Sequence, residues 1–166
     1  FGPGDIVDAP PAQDEIADLM SRVGQSNLRL DVQNRSILKQ SDLSVDVSSL
    51  AKGYAVDRVA EWLSAQGVRR YMVEVGGEMR LSGLSGRGDP WRIAIEEPKI
   101  SERSIAITLS LTDVAIATSG DYRNYFEANG RRYSHSIDPR TGYPVTHDLV
   151  SVTVVHQSCM MADAWA

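Results

Sequence analysis

The segment from Asp46 to Asp57 has the residue types that suit the binding of a phosphate-containing ligand. Ser48 and Ser49 open a helical pattern, and Lys52 follows one turn later. Free backbone N–H groups at a helix start, with a cation close by, can hold an anion. The same residues also suit an ordinary helix cap beside a solvated lysine, so this segment alone leaves both interpretations open.

Two glycine-containing segments offer similar chemistry. Gly76 and Gly77 follow Glu74 between two strand-like runs. A hairpin turn explains this pair, but paired glycines also let a ligand approach the backbone closely. Ser119 and Gly120 follow another strand-like run, where backbone amides and hydroxyl groups would be available to a phosphate. A plain turn is the alternative interpretation for this second segment.

Two further segments carry a histidine and an isolated carboxylate. His135 and Asp138 are expected on one strand that then breaks into a loop rich in Pro and Gly. Histidine titrates near neutral pH and can act as a base or bind a phosphate, although a single histidine is more often structural. Asp163 lies in an apolar helix start, where it either binds a ligand or interacts with the helix dipole.

Helices and strands that position these segments can be predicted from periodicity. The first helix is expected around Ile16–Val23 with Gly24 as its stop, and the second is expected from a cap at Ser48 or Ser49 to Gly67. The apolar face of the second helix is expected to comprise Leu50, Tyr54, Val56, Val59, Ala60 and Leu63. Strands are expected over Leu28–Val32, Ile37–Lys39, Tyr71–Val75, Glu78–Ser82, Trp91–Glu96, Ser104–Leu109, Val114–Thr118, Arg132–Ile137 and Val150–His156. Two helices with these strands, mostly in hairpins, predict an α+β fold with a mostly antiparallel sheet and flanking helices.

Gly53 interrupts the second predicted helix. A glycine inside a helix costs about 1 kcal/mol relative to alanine. Either another part of the chain packs closely against it, or a ligand approaches the start of the helix. The sequence does not distinguish these two explanations.

Composition restricts the class of protein. The chain has 166 residues, 17 Lys and Arg against 22 Asp and Glu, and a formal charge of −5. This acidic balance argues against a nucleic-acid surface, and ordinary composition argues against disorder. Its one cysteine excludes an internal disulfide, and no P-loop, nucleophile elbow or HExxH motif is present. We expect one domain over residues 1–166, truncated at both ends, because helical spacing continues up to Ala166.

Five segments, taken in order, closely resemble the motifs of the ApbE family of flavin transferases. They are Asp46–Asp57, Val73–Glu78, Thr118–Tyr125, Ser134–Gly142 and Ala162–Trp165. The resemblance implies the α+β flavin-transferase fold, present here in part. It also implies an enzyme that uses Mg²⁺ to split FAD, transfers FMN to a threonine hydroxyl of an acceptor protein, and releases AMP.

The resemblance assigns roles to individual residues. His135 matches a histidine proposed to act in catalysis, Ser49 and Asp163 match metal ligands, and Asp46 and Lys52 match FAD contacts. The other expected cofactor contacts are Ile137, from the resemblance, and the glycine-containing segments Gly76, Gly77, Ser119 and Gly120. The metal-binding threonine of the family would fall just past Ala166, and further flavin contacts of the family lie before Phe1.

The resemblance also suggests partners and a location. Acceptors in the family are subunits of membrane redox complexes, such as sodium-pumping NADH–quinone oxidoreductase or the related Rnf complexes. Members are usually exported, often as lipoproteins, so we expect the periplasm or the outer face of the inner membrane, with any lipid anchor outside this chain. Two alternatives remain open: an FAD pyrophosphatase that gives FMN and AMP, and a non-catalytic flavin-binding assembly protein.

Overall fold

The computed structural model describes residues 11–99, 104–120, 125–128, 131–134 and 136–166. Its elements in chain order are α1 (Gln13–Arg22), β1 (Leu28–Asp31), β2 (Ser36–Lys39), α2 (Ser48–Ala65), β3 (Tyr71–Val75), β4 (Glu78–Ser82), β5 (Trp91–Glu96), β6 (Ile105–Leu111), β7 (Ala115–Gly120), β8 (Tyr125–Ala128), β9 (Arg131–Ser134), β10 (Ser151–His156) and α3 (Cys159–Trp165). The strand pairs are all antiparallel in these described residues, as the sequence predicts.

The elements divide into two compact units. The first comprises the described residues of 11–45 and 125–148, and the second those of 46–120 and 149–166. The first unit contains α1 and the hairpins β1–β2 and β8–β9. Gly142 adopts a positive φ of 75° beside α1, where an added Cβ would lie 2.7 Å from the Ile16 Cγ2.

A four-stranded sheet forms the centre of the second unit, in the order β10–β7–β4–β3. Adjacent residues of a strand point to opposite faces, and β7 shows this with buried Ala115 and Ile116. Ala115 belongs to a cluster with Val56, Ala60, Val73 and Cys159. The helices α2 and α3 therefore cover one face of the sheet.

The other face of the sheet packs against the hairpin β5–β6. Ile116 of β7 joins Leu81 of β4 and Ile93 of β5 in a second buried cluster. Because β6 pairs with β5 and not with β7, the polar turn at Thr112 and Asp113 carries the chain between two sheets.

Predictions for the second helix are correct in position but wrong in two details. The residue before the helix is Val47, whose side chain makes no capping hydrogen bond, so neither Ser48 nor Ser49 acts as the cap. The buried residues are Gly53, Val56, Asp57 and Ala60, while Tyr54 and Val59 of the expected apolar face are exposed. The Tyr54 ring instead lies 5.7 Å from the Arg58 guanidinium carbon, a cation–π arrangement at the surface.

Several strand predictions differ from the structure. The strand β8 is not among the expected strands, β6 extends to Leu111, and β7 extends to Gly120. The strand expected to carry Asp138 ends at Ser134, and Asp138 lies in the following loop. Among the described residues, no helix combines the length and the apolar character needed to cross a bilayer.

Candidate functional site

The first turn of α2 is held by a preceding carboxylate. An oxygen of Asp46, Oδ1, accepts a hydrogen bond of 2.8 Å from the backbone N–H of Ser48. This hydrogen bond and one from the Ser48 side chain lower the pKa of Asp46, so it is ionised at neutral pH. Ser49 follows on the exposed side of the helix. The residues predicted to bind FAD and metal here thus lie side by side.

Lys52 reaches from α2 to the first residue of β4. Its ammonium Nζ lies 2.5 Å from the Oε1 of Glu78, whose side chain is only 2% exposed, whereas the Lys52 side chain is 46% exposed. The second oxygen of Glu78, Oε2, is buried and has no hydrogen-bond partner among the described residues. The lysine therefore balances a buried charge while it keeps two of its three N–H donors for other groups.

Gly76 and Gly77 form the two-residue turn between β3 and β4. Their φ angles are 62° and 102°, values that only glycine adopts without strain. A Cβ on Gly76 would lie 3.2 Å from the Cδ of Lys52 and 3.5 Å from the Oε2 of Glu78. The hairpin interpretation of this pair is confirmed, and the turn also lies directly against the lysine.

Gly53 allows α3 to pack against the start of α2. A Cβ at Gly53 would lie 2.4 Å from the carbonyl oxygen of Cys159 and 2.7 Å from the Cα of Met160. The backbone N–H of Gly53 donates a hydrogen bond of 2.9 Å to the Oδ2 of Asp163. Close packing by α3 therefore explains the glycine, and it carries Asp163 to the helix turn that begins at Ser49.

Two buried carboxylates of this region could not be assigned from the sequence. Glu74 was considered for the glycine turn but is exposed, and Glu78 is the residue that pairs with Lys52. Asp57 had no predicted role, yet its carboxylate holds the start of α3. Burial raises the pKa of Asp57, but hydrogen bonds from Cys159, Met160, Ser158 and Arg80 outweigh it and leave the pKa below its ordinary value. Periodicity gave no signal, because both residues lie where apolar side chains would be expected.

Three other predicted site residues lie in parts of the chain that the structure describes: Ser119, Gly120 and Ile137. Ser119 and Gly120 are the last residues of β7, opposite Val152 and Ser151 of β10, so they lie in a strand and not in a turn. Ile137 belongs to the first unit, is 40% exposed, and forms an isolated bridge with Pro144. His135 lies outside the described residues.

Oxygen ligands of the site are few. No group of three or more His, Cys, Asp or Glu side chains that could hold a metal occurs in the part of the chain that the structure describes. Asp163 and Ser49 together offer one carboxylate and one hydroxyl. Mg²⁺ commonly takes one or two carboxylates from the protein and the rest of its ligands from water and substrate phosphates. The donors present therefore fit a metal that is shared with a phosphate ligand.

An open cavity of about 420 Å³ lies elsewhere in the second unit. Its walls come from β3, β4, β5 and the loop before β5, and include Met72, Glu74, Arg87, Trp91 and Arg92. None of the predicted site residues lines it. The cavity therefore does not mark the site that the cluster around Gly53 indicates.

Comparison with known proteins gives matches along the whole chain. The profile of the ApbE family matches residues 1–166. A relative from Vibrio cholerae, named FAD:protein FMN transferase, is 48% identical over 167 residues that cover 100% of this chain and 49% of the relative. A relative of the same name from Haemophilus influenzae is 42% identical, with coverage of 98% and 48%.

Solved structures agree with the sequence matches. The flavin transferase ApbE from Vibrio cholerae superposes with a TM-score of 0.84 at 46% identity, and covers 99% of this chain and 52% of its own. The apo flavinyl transferase ApbE from Pseudomonas stutzeri gives 0.83 at 41% identity, with coverage of 99% and 50%. The chain thus spans about half the length of these relatives. Its α+β fold is that of the matching part of these flavin transferases, and the chain belongs to the ApbE family.

Proposed function

We propose that this chain forms part of an enzyme that transfers FMN from FAD to an acceptor protein. The relatives that it matches over its full length are named FAD:protein FMN transferase. The observation that carries the proposal is the hydrogen bond of 2.9 Å between the Gly53 N–H and Asp163, which brings a carboxylate beside Lys52 and the Ser49 turn. Lys52 precedes Gly53 in the chain, so a cation and a carboxylate both belong to this helix contact, and both are groups that the cleavage of a pyrophosphate uses.

Lys52 and the residues around it are proposed to bind the pyrophosphate of FAD. Glu78 holds the Lys52 ammonium at one of its three donors and leaves it partly exposed. The free donors can therefore reach a phosphate oxygen. The adjacent Gly76 and Gly77 leave space for the ligand because neither residue carries a Cβ.

Asp163 and Ser49 are proposed to hold Mg²⁺. When bound by these residues, the ion would neutralise charge on the pyrophosphate and would make AMP a better leaving group. Among the described residues, the carboxylate of Asp163 accepts one hydrogen bond, from the Gly53 N–H to Oδ2, so Oδ1 remains available as a ligand. Ionised carboxylate and hydroxyl oxygens are ligands that Mg²⁺ prefers.

The proposed transfer step joins FMN to a threonine of the acceptor. The threonine hydroxyl oxygen forms a bond to the phosphorus of the FMN half of FAD, and the bond from that phosphorus to the bridging oxygen breaks. The hydroxyl proton passes to a base, for which we propose His135 on the basis of its motif, and AMP leaves with the bridging oxygen.

Partners and location follow from the same resemblance as proposals. We propose as acceptors subunits of membrane redox complexes of the sodium-pumping NADH–quinone oxidoreductase and Rnf types. We also propose that the protein works in the periplasm or at the outer face of the inner membrane. Export of the acceptor domain with this protein in the same cells would test the location, because only co-localised partners would become flavinylated.

The deciding experiment is the intact mass of an acceptor domain after incubation with the intact protein, FAD and Mg²⁺. We expect a mass gain of one FMN phosphoester that EDTA abolishes. Free FMN and AMP without a gain would instead indicate a pyrophosphatase. Absence of both products, with FAD still bound, would overturn the enzymatic proposal in favour of a flavin-binding protein.

A variant and a matched control test the proposed role of Asp163 as a metal ligand. Asp163→Asn keeps an oxygen that can accept from the Gly53 N–H but removes the charge, so it is expected to abolish Mg²⁺-dependent transfer while the fold is retained. Glu97→Gln is the matched control, because it also neutralises a carboxylate, but one that pairs with Lys99 and Ser104 away from Gly53. Full activity of Asp163→Asn would contradict the metal assignment.

A further inference from the structure

Asp57 makes an unusually complete set of contacts for a single carboxylate. Its side chain is 6% exposed. The Oδ1 atom accepts from the Arg80 guanidinium at 2.6 Å and from the Cys159 N–H at 3.0 Å. The Oδ2 atom accepts from the Ser158 hydroxyl at 2.7 Å and from the Met160 N–H at 3.1 Å. Two of these donors are free N–H groups at the start of α3, which no intrahelical partner could satisfy.

Asp57 and Asp163 form a reciprocal pair of contacts between α2 and α3. Asp57 of α2 accepts from the backbone of Cys159, and Asp163 of α3 accepts from the backbone of Gly53. Four residues separate the two positions in each helix, which is about one turn or 6 Å along the axis. The two helices are thus fixed at two points, and a shift at one point would displace the other.

The close approach at Gly53 makes this arrangement sensitive to small movements. The backbone of α3 lies where a Cβ of Gly53 would be, so α3 cannot move closer. The three hydrogen bonds to Asp57 from Ser158, Cys159 and Met160 prevent it from moving away. The position of the Asp163 carboxylate is therefore determined by Asp57, although the hydrogen bonds of the two carboxylates go to different partners.

We propose that Asp57 is the positioning residue of Asp163, and that it sets this carboxylate for metal binding by fixing the start of α3 on α2. The proposal rests on the proposed function, because it assigns to Asp163 the metal that the transfer would use. Residues that orient a metal ligand typically change metal affinity or activity 10- to 100-fold when mutated. Asp57 would act in this way through backbone position and not through direct contact with the metal.

The test is the apparent Mg²⁺ affinity of the intact protein with FAD bound, measured by titration calorimetry and by the Mg²⁺ dependence of transfer. Asp57→Asn puts an NH₂ group against N–H and O–H donors and so disrupts the start of α3. We expect it to raise the apparent Kd for Mg²⁺ about 10- to 100-fold. FAD binding without metal should change less than about twofold, and saturating Mg²⁺ should restore most of kcat.

A matched control separates positioning from loss of stability. Ile93→Ala opens a cavity in the second buried cluster, away from α3, and is expected to lower the melting temperature without changing Mg²⁺ affinity. If Asp57→Asn does not fold, Ser158→Ala removes one of the four donors to Asp57 and should give a smaller rise, about threefold.

The outcomes separate this inference from the proposed function. Wild-type protein without Mg²⁺ binding or Mg²⁺-dependent transfer would overturn the proposed function itself. Wild-type protein with both, and an Asp57→Asn variant with unchanged Mg²⁺ affinity, would overturn only the positioning role. Equal losses of metal-free FAD binding and of Mg²⁺ affinity would likewise overturn it, because they would indicate general disruption of the site.

Discussion

Gly53→Ala tests whether α3 packs against α2 as closely as the structure indicates. Helix propensity alone favours this change, since Ala is more stable than Gly in a helix interior by about 1 kcal/mol. The structure opposes it, because the new Cβ would lie 2.4 Å from the Cys159 carbonyl oxygen and 2.7 Å from the Cys159 carbonyl carbon. These are backbone atoms, so no side-chain rotation can relieve the overlap.

The net effect can be worked out from the two opposing terms. Carbon atoms pack at about 3.5–4.0 Å, so α3 must move by about 1 Å. Overpacking of this kind costs about 1–3 kcal/mol, occasionally more. The movement also stretches the hydrogen bonds at Asp57 and Asp163, each worth about 1 kcal/mol. After the gain in propensity is subtracted, we expect a loss of about 2 kcal/mol in the free energy of unfolding.

Urea unfolding of the intact protein measures this loss, with Gly86→Ala as the control. No atom lies within 4 Å of a Cβ at Gly86, and its φ is not in the left-handed region. The control should therefore be neutral or stabilised by up to about 1 kcal/mol. A Gly53→Ala variant as stable as wild type, with an unchanged denaturant slope, would refute the close packing of α2 and α3.

Three further predictions concern charged and titratable groups. Lys52→Met leaves the buried carboxylate of Glu78 without a partner and should lower the free energy of unfolding in urea by about 2–3 kcal/mol. Glu78→Gln keeps an acceptor for Lys52 and should lower it by less than about 1 kcal/mol. Equal losses would contradict the finding that Glu78 is buried while Lys52 is partly exposed. Burial, followed by nearby carboxylates, raises the pKa of Cys159 to about 12, so alkylation at pH 8 should be about 10³-fold slower in the folded protein than in urea. Rapid labelling of the Cys159 thiol in the folded protein would contradict the raised pKa. Hydrogen bonds from Arg140 lower the pKa of Asp138 to about 2, so the stability from this pair is present above about pH 4 and is lost as the pH falls through 2. An NMR titration should show the pKa of Asp138 return toward 3.8 in Arg140→Gln, and no change would exclude Arg140 as the cause.

Much of the fold could be predicted because local signals agree with the structure. Gly76 and Gly77 are a strong hairpin signal, and the predicted bounds of β3 and β4 match the structure at both ends. The cap of α2 was harder to predict, because Ser48 and Ser49 have the residue type of caps. Asp46, which precedes Val47, instead accepts the hydrogen bond from the free N–H of Ser48. Pairing between strands distant in sequence, such as β7 with β10, carries no local signal.

The candidate site likewise contains residues that the sequence identifies and residues that only the structure identifies. Lys52, Ser49 and Asp163 are identified by motifs that the resemblance supplies. Glu78 and Asp57 are recognisable only once their partners are known, because a buried carboxylate is tolerated where donors from distant segments surround it. Gly53 shows the limit most clearly: sequence indicates a close approach at this position, but only the structure identifies α3 as the approaching segment.

The contact between Gly53 and Asp163 also has a consequence for biosynthesis. The two residues are 110 positions apart, so closing this loop costs about 4 kcal/mol in chain entropy. A nascent chain that has not yet reached Cys159 contains α2 but lacks the residue that completes the cluster with Val56 and Ala60. Until the ribosome adds α3, that apolar surface is available to chaperones or to other chains. Completion of this cluster and the arrival of Asp163 at Gly53 would then coincide.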